Sequence, residues 1–148
     1  VAEPAGLRPD EPAEVRPDED VVSLVRHAAA GALEKKGDSL LALYVGPTLV
    51  LADVFLLVTG TSARHVKTLA DGVQRQVKVA LGRRPKRVEG LDEAAWVLLD
   101  YGEVVVHLFQ PETRALYGLE RLWADAAVVP LVERTTVSPA AGQPSLTS

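Results

Sequence analysis

The chain predicts a single α/β domain, a mixed sheet flanked by helices, and three patterns carry that expectation. Apolar residues recur with the helical period in two long segments, 21–33 and 66–81. Short runs rich in Val and Leu, of strand length, lie between and after them. Gly, Pro and Asp punctuate nearly every boundary. A length of 148 residues with 47% hydrophobic content gives such a domain room for a real core.

The elements follow in order. Asp20 is placed to cap a first helix whose inward stripe is Val21, Leu24, Val25, Ala28, Ala32 and Leu33, with Gly37 to end it. Ser39 to Val45 reads as a buried strand, Gly46-Pro47 breaks it, and Asp53 to Thr59 forms a second. Thr61 or Ser62 caps a long second helix striped by Val66, Leu69, Ala70, Val73 and Val77 and stopped at Gly82. Arg83 to Arg87 is a basic connector, and Glu89-Gly90 turns the chain. Ala95 to Asp100 and Glu103 to Phe109 are strands joined by a tight turn at Tyr101-Gly102. The second has apolar residues on both faces, Val104, Val106 and Leu108 against Val105 and Phe109, so it should lie inside a sheet covered on both sides. Pro111 suits the first turn of a third helix, and Leu119 to Trp123 adds a short turn. The domain is expected to span 20–129, between a disordered acidic tail at 1–19, with four prolines, and a flexible tail at 130–148.

Composition narrows the chemistry. With no cysteine, disulfides and thiolate metal sites are excluded, and a cytoplasmic location is the expectation. The apolar runs are far shorter than the roughly 20 residues that span a bilayer, so no membrane segment is expected. Charge is uneven: residues 1–20 hold seven acids against two arginines, a net of −5, which leaves the rest near +1 of the total −4. A nearly neutral body lacks the clustered Lys and Arg that phosphate-dominated binding needs, so direct sequence-specific nucleic-acid binding is not expected.

Several motifs invite catalytic readings. Thr59-Gly60-Thr61-Ser62 joins a strand to a helix, where amides can cradle phosphate, but it lacks the glycine spacing and lysine of a P-loop, and helix capping is the simpler reading. Ser62 and His65 share one helix start and have no oxyanion-hole motif beside them. His107 sits among valines and reads as a hydrogen-bonded core histidine; no metal ligand set and no cofactor is expected. Trp123 reads as packed on the sheet. Trp96 shares a strand face with Leu98 and Asp100, opposite Val97 and Leu99, so its position admits either a core or an exposed role.

The run Val88-Glu89-Gly90-Leu91, Trp96 through His107, and Leu116-Tyr117-Gly118-Leu119-Glu120-Arg121-Leu122-Trp123 resembles the ribosomal silencing factor family, also called Iojap-related. The likeness extends to Ala52-Asp53, Thr59-Gly60-Thr61-Ser62 and Arg64-His65-Val66, covering residues 21 to 125. It implies a fold similar to that of the nucleotidyltransferases without their activity, and a non-enzymatic translational repressor. Such a protein binds the large ribosomal subunit through ribosomal protein L fourteen and blocks joining of the small one. The resemblance implies a partner-binding patch carried by Trp96, with Glu89, Leu98, Asp100 and Tyr101 beside it, and a possible homodimer. The rival is a nucleotidyltransferase-like enzyme using Asp53, Ser62 and Asp100. The chain departs from the family at Gly46-Pro47-Thr48-Leu49-Val50-Leu51, which is less polar than expected.

Overall fold

A computed structural model describes residues 16–131; the two expected tails therefore lie largely outside the described residues. The elements are α1 (Glu19–Glu34), β1 (Asp38–Tyr44), β2 (Val54–Thr59), α2 (Ala63–Leu81), β3 (Arg87–Glu89), β4 (Trp96–Asp100), β5 (Val104–Phe109), α3 (Pro111–Tyr117), α4 (Leu119–Leu122) and β6 (Ala127–Val128). They form one six-stranded sheet in the order β3-β4-β5-β2-β1-β6, with β2 and β5 parallel and the other pairs antiparallel. β3 and β6 are the strands that the sequence pattern misses. Each is two or three exposed residues at an edge, too short to show alternation.

Strand alternation divides the sheet into two unlike faces. Ala42, Val54, Leu56, Val58, Val97, Leu99, Val104, Val106 and Leu108 point to the side covered by α1 and α2 and form the main core. Leu43, Leu57, Phe109, Phe55 and Trp96 point to the other side, where, among the described residues, the short α3–α4 segment and the loop after β1 provide the cover. The expectation that β5 is covered on both sides is thus met only in part, since Val105 stays half-exposed.

Both long helices fit on one face because they cross closely. A methyl group added to Gly31 of α1 would lie 2.5 Å from the carbonyl oxygen of Gly72 on α2. α1 ends three residues before Gly37. Lys36 takes the left-handed conformation (φ 66°), and the amides of Lys36 and Gly37 bond back to the carbonyls of Leu33 and Ala32. Gly37 is required instead for space, because its Cβ would meet Val58 Cγ1 at 2.7 Å. α2 starts as expected, with Ser62 Oγ accepting from the amide of His65 at 3.1 Å, and ends at left-handed Gly82. The N-cap of α1 is Asp18 rather than Asp20, and its side chain makes no capping bond. At the margins, Pro17 is buried and Leu131 packs on the core. Arg26 Nε donates to the Pro130 carbonyl at 3.1 Å.

Two substitutions test this arrangement by chemical denaturation. Leu99→Ala, at a fully buried position, is expected to cost about 2–5 kcal/mol. Gly31→Ala, although it favours helix locally, is expected to cost about 1–3 kcal/mol by forcing the helices apart.

Candidate functional site

The half-covered face is where unusual side chains gather. β4 directs Val97 and Leu99 into the helix-side core and leaves Trp96, Leu98 and Asp100 half-buried on the opposite face. Tyr101, expected beside them, is not there: it is fully buried in the helix-side cluster, where burial pushes its phenol up to about 12. The turn after Asp100 breaks the alternation, so simple face counting cannot place it.

Trp96 is neither loose nor engulfed. Its indole Nε1 donates to His107 Nδ1 at 3.1 Å, and its ring packs on Phe109 and Tyr117 at centroid distances of 5.1 and 4.8 Å. Gly90 lies so close to the Trp96 carbonyl that any side chain would collide with it, which keeps the 90–95 turn against the strand. Tyr117 in turn is held by the α3–α4 segment. Arg114 clamps this segment to the sheet, donating to Glu120 Oε2 (2.8 Å), the Ser39 carbonyl (2.7 Å) and Thr59 Oγ1 (2.8 Å). Trp123 packs edge-on against Phe55 at 5.9 Å, as its position near the helix end suggests.

Sharing His107 with this cluster is a cavity of about 250 Å³ lined by Leu49, Leu51, Ala52, Phe55, Arg87, Glu89, Leu98, Asp100, Val105 and His107. The apolar loop that departs from the family pattern supplies Leu49 and Leu51, the latter 84% exposed. Its charged lining is an ion-pair network: Arg87 reaches Asp100 at 3.0 Å and Glu89 at 3.5 Å, and Asp100 Oδ1 accepts from the Gly102 amide at 2.8 Å. The basic connector is therefore partly structural, the more so because Arg83 pairs with Glu103 at 2.6 Å and holds its carboxyl below the usual range. Leu98 shares the Trp96 face as its strand position implies, and Glu89, read from sequence as part of a turn, instead ends β3 and stands opposite Leu98 across the β3–β4 pair. His107, Phe55, Leu49 and Leu51 were not foreseen there, because their convergence depends on the parallel β2–β5 pairing and on a loop.

His107 is 5% exposed, and burial lowers its pKa to about 4, so the imidazole is neutral. Since an indole N–H can only donate, Nδ1 must be the acceptor and the proton sits on Nε2. That Nε2–H is buried without a partner among the described residues, a situation that costs about 1–3 kcal/mol when left unrelieved. The expected core histidine is thus satisfied on one nitrogen only.

The catalytic candidates do not converge. Asp53 precedes β2 and Ser62 follows it, so they stand at opposite ends of a six-residue strand, about 20 Å apart. His65 has both ring nitrogens engaged, Nδ1 with the Thr61 amide at 2.9 Å and Nε2 with the Lys35 carbonyl at 2.8 Å, so it ties α2 to the end of α1. Among the described residues no three of His, Asp and Glu cluster as metal ligands would. No helix there is long and apolar enough to cross a membrane.

A mixed six-stranded sheet with two long helices on one face and a half-buried aromatic cluster on the other defines the class as a single α/β domain. Comparison with known proteins narrows the class. The family model described as "Ribosomal silencing factor during starvation" matches residues 18–147, and the chain belongs to that family. It is 39% identical over 109 residues to the ribosomal silencing factor of Bacillus subtilis, covering 74% of this chain and 92% of that one. It is 31% identical to a mouse protein named for mitochondrial assembly of the ribosomal large subunit, over 70% of this chain and 43% of the other. Chloroplastic Iojap of Zea mays is 29% identical over 86% of this chain and 55% of its own. Among solved structures, a Chromobacterium violaceum protein superposes with a TM-score of 0.67 at 30% identity, covering 82% of this chain and 96% of the other. A Bacillus halodurans protein gives 0.64 at 35% identity, with 74% and 98% covered.

The state of His107 sets a pH dependence. In the unfolded chain it protonates near its ordinary 6.5, in the fold only near 4, so below 6.5 the unfolded state binds the extra proton. Stability should fall as pH drops from 6.5 to 4, by on the order of 3 kcal/mol. Urea melts across that range check it; the His107 contribution is absent from the same series on His107→Gln.

Proposed function

We propose that this protein is a non-enzymatic translational repressor that docks on the large ribosomal subunit and sterically blocks joining of the small one. The observation that supports it most is Trp96: a large aromatic, oriented by a hydrogen bond and two ring contacts, left half-exposed on an open sheet face. Leu98 shares its face, and Leu51, Leu91 and Tyr117 add exposed apolar surface to the fold. Tryptophan set in such surroundings is the residue type most enriched among binding hot spots. Glu89 and Asp100 add negative charge that suits a basic partner surface. Relatives named as silencing factors and as a large-subunit assembly protein support the ribosome as target. Ribosomal protein L fourteen is the contact the family resemblance favours.

No chemistry is required of such a protein. An interface of about 1,600 Å² with one desolvated aromatic anchor reaches nanomolar affinity, and the bulk of the bound domain then excludes the competing subunit. Repression of this kind is reversible. The exposed edges at β3 and β6 are the places where a homodimer would form by strand pairing; sedimentation equilibrium measures whether it does.

Sucrose-gradient co-sedimentation with separated subunits tests the reading. Selective association with large subunits is expected; equal association with small ones, or none with large, refutes it. Purified subunits should also stay apart in proportion to occupancy, and full joining at saturating protein would refute occlusion. Trp96→Ala is expected to weaken binding by about thirtyfold, or ~2 kcal/mol. Because Trp96 is half-buried, the same change should lower fold stability by roughly half of the ~3–5 kcal/mol typical for a fully buried large aromatic. A titration with Mg²⁺ and nucleotide that gave tight binding would favour the enzyme reading instead.

A further inference from the structure

We propose that the groove between α2 and β3 is a second docking site, which takes an acidic segment of another protein in extended conformation, added as a strand along the free edge of β3. The groove lies on the helix side of the sheet, away from Trp96, and the proposal does not depend on the ribosomal reading.

Three observations carry it. The groove, of about 520 Å³, is lined by Gln74, Arg75, Lys78 and Val79 of α2, Arg84 and Pro85 of the connector and Val88 of β3, with no acid among them. Val79, 79% exposed, and Val88, 36% exposed, leave apolar surface uncovered there. Next, Arg75, Lys78 and Arg84 make no ion pair among the described residues, whereas Arg83 and Arg87 are paired with Glu103 and with Glu89 and Asp100. The whole chain carries a net charge of −4, so this local excess of cations does not follow from composition. Last, β3 ends the sheet, and one edge of its backbone has no strand beside it. Val88 stands opposite Leu99, which points into the helix-side core, so Val88 faces the same way and the groove runs along this edge. A strand laid beside β3 presents every second side chain to the groove.

The chemistry of the lining selects the occupant. A second copy paired through β3 would set the same three cations of each copy against the other, which leaves β6 as the edge for self-pairing. Nucleic acid would neutralise the cations, but its phosphates leave the apolar lining and the strand edge unused. An extended segment with acids and large apolar side chains on one face satisfies all three features.

Fluorescence anisotropy with the labelled peptide Glu-Thr-Leu-Thr-Leu-Thr-Glu tests this on the full chain, because the extended peptide places its Glu and Leu side chains on one face. Saturable binding to the wild-type protein is expected; no binding at millimolar peptide overturns the proposal. The double variant Lys78→Glu, Arg84→Glu should bind about tenfold more weakly, and so should the wild-type protein toward the peptide with both Glu replaced by Lys. Arg64→Glu, an exposed change on the same helix outside the groove, should bind like wild type. No loss in the double variant, or an equal loss in Arg64→Glu, overturns the site. A peptide N-methylated along its backbone keeps every side chain and cannot pair with a strand; unchanged binding of that peptide overturns strand addition. Lys78 and Arg84 are exposed, and thermal melts of the double variant check that its fold is intact. The wild-type protein supplies a measurement independent of any variant: amide exchange in residues 87–89 should slow at saturating peptide, and unchanged exchange overturns the proposal. An RNA oligonucleotide that binds more tightly than the peptide, and is lost in the same double variant, overturns it in favour of a phosphate partner.

Discussion

The close crossing of α1 over α2 is the constraint on which the rest of the molecule depends. Two glycines, Gly31 and Gly72, face each other where any side chain would drive the backbones apart, and this lets both long helices lie on the same side of one small sheet. All the substantial helical cover is thereby spent on one face. Among the described residues, the other face receives two short helices and a loop, so its aromatic residues are packed against one another and still meet solvent.

From that asymmetry the site follows by ordinary side-chain chemistry. Arg114 binds the α3–α4 segment to the ends of β1 and β2, which sets Tyr117 against Trp96. His107 supplies the acceptor that orients the indole, and the same bond dictates which of its nitrogens holds the proton. The ion pairs of Arg87 brace the lining of the neighbouring cavity. A side chain fixed in this way loses little further freedom on binding, so more of its burial energy remains as affinity.

The segments that suggested catalysis have structural work instead. Ser62 caps α2, and His65 staples the start of α2 to the end of α1. Asp100 is occupied by Gly102 and Arg87, so it shapes a turn as well as contributing charge. In each case the polar group satisfies backbone donors and acceptors left unpaired at an element's end, a demand that every fold must meet.

The sequence by itself determined the domain class, the two amphipathic helices and the alternation that sets Val97 and Leu99 on one strand face and Trp96 on the other, because helix and strand periods are local properties. It also carried the family, since the three runs between Val88 and Trp123 that bear the resemblance lie close together along the chain. What only the tertiary structure decided was which residues meet. The edge strands β3 and β6 are too short to leave a pattern. Tyr101 leaves the exposed face for the helix-side core because a turn ends the alternation. The cavity that His107 lines joins β2, β4, β5 and a loop, segments brought together by a parallel pairing with no local signature. His107 is the sharpest case: its neighbours in sequence are valines and predict a buried ring, but only the placement of Trp96 across the strand pair fixes its tautomer.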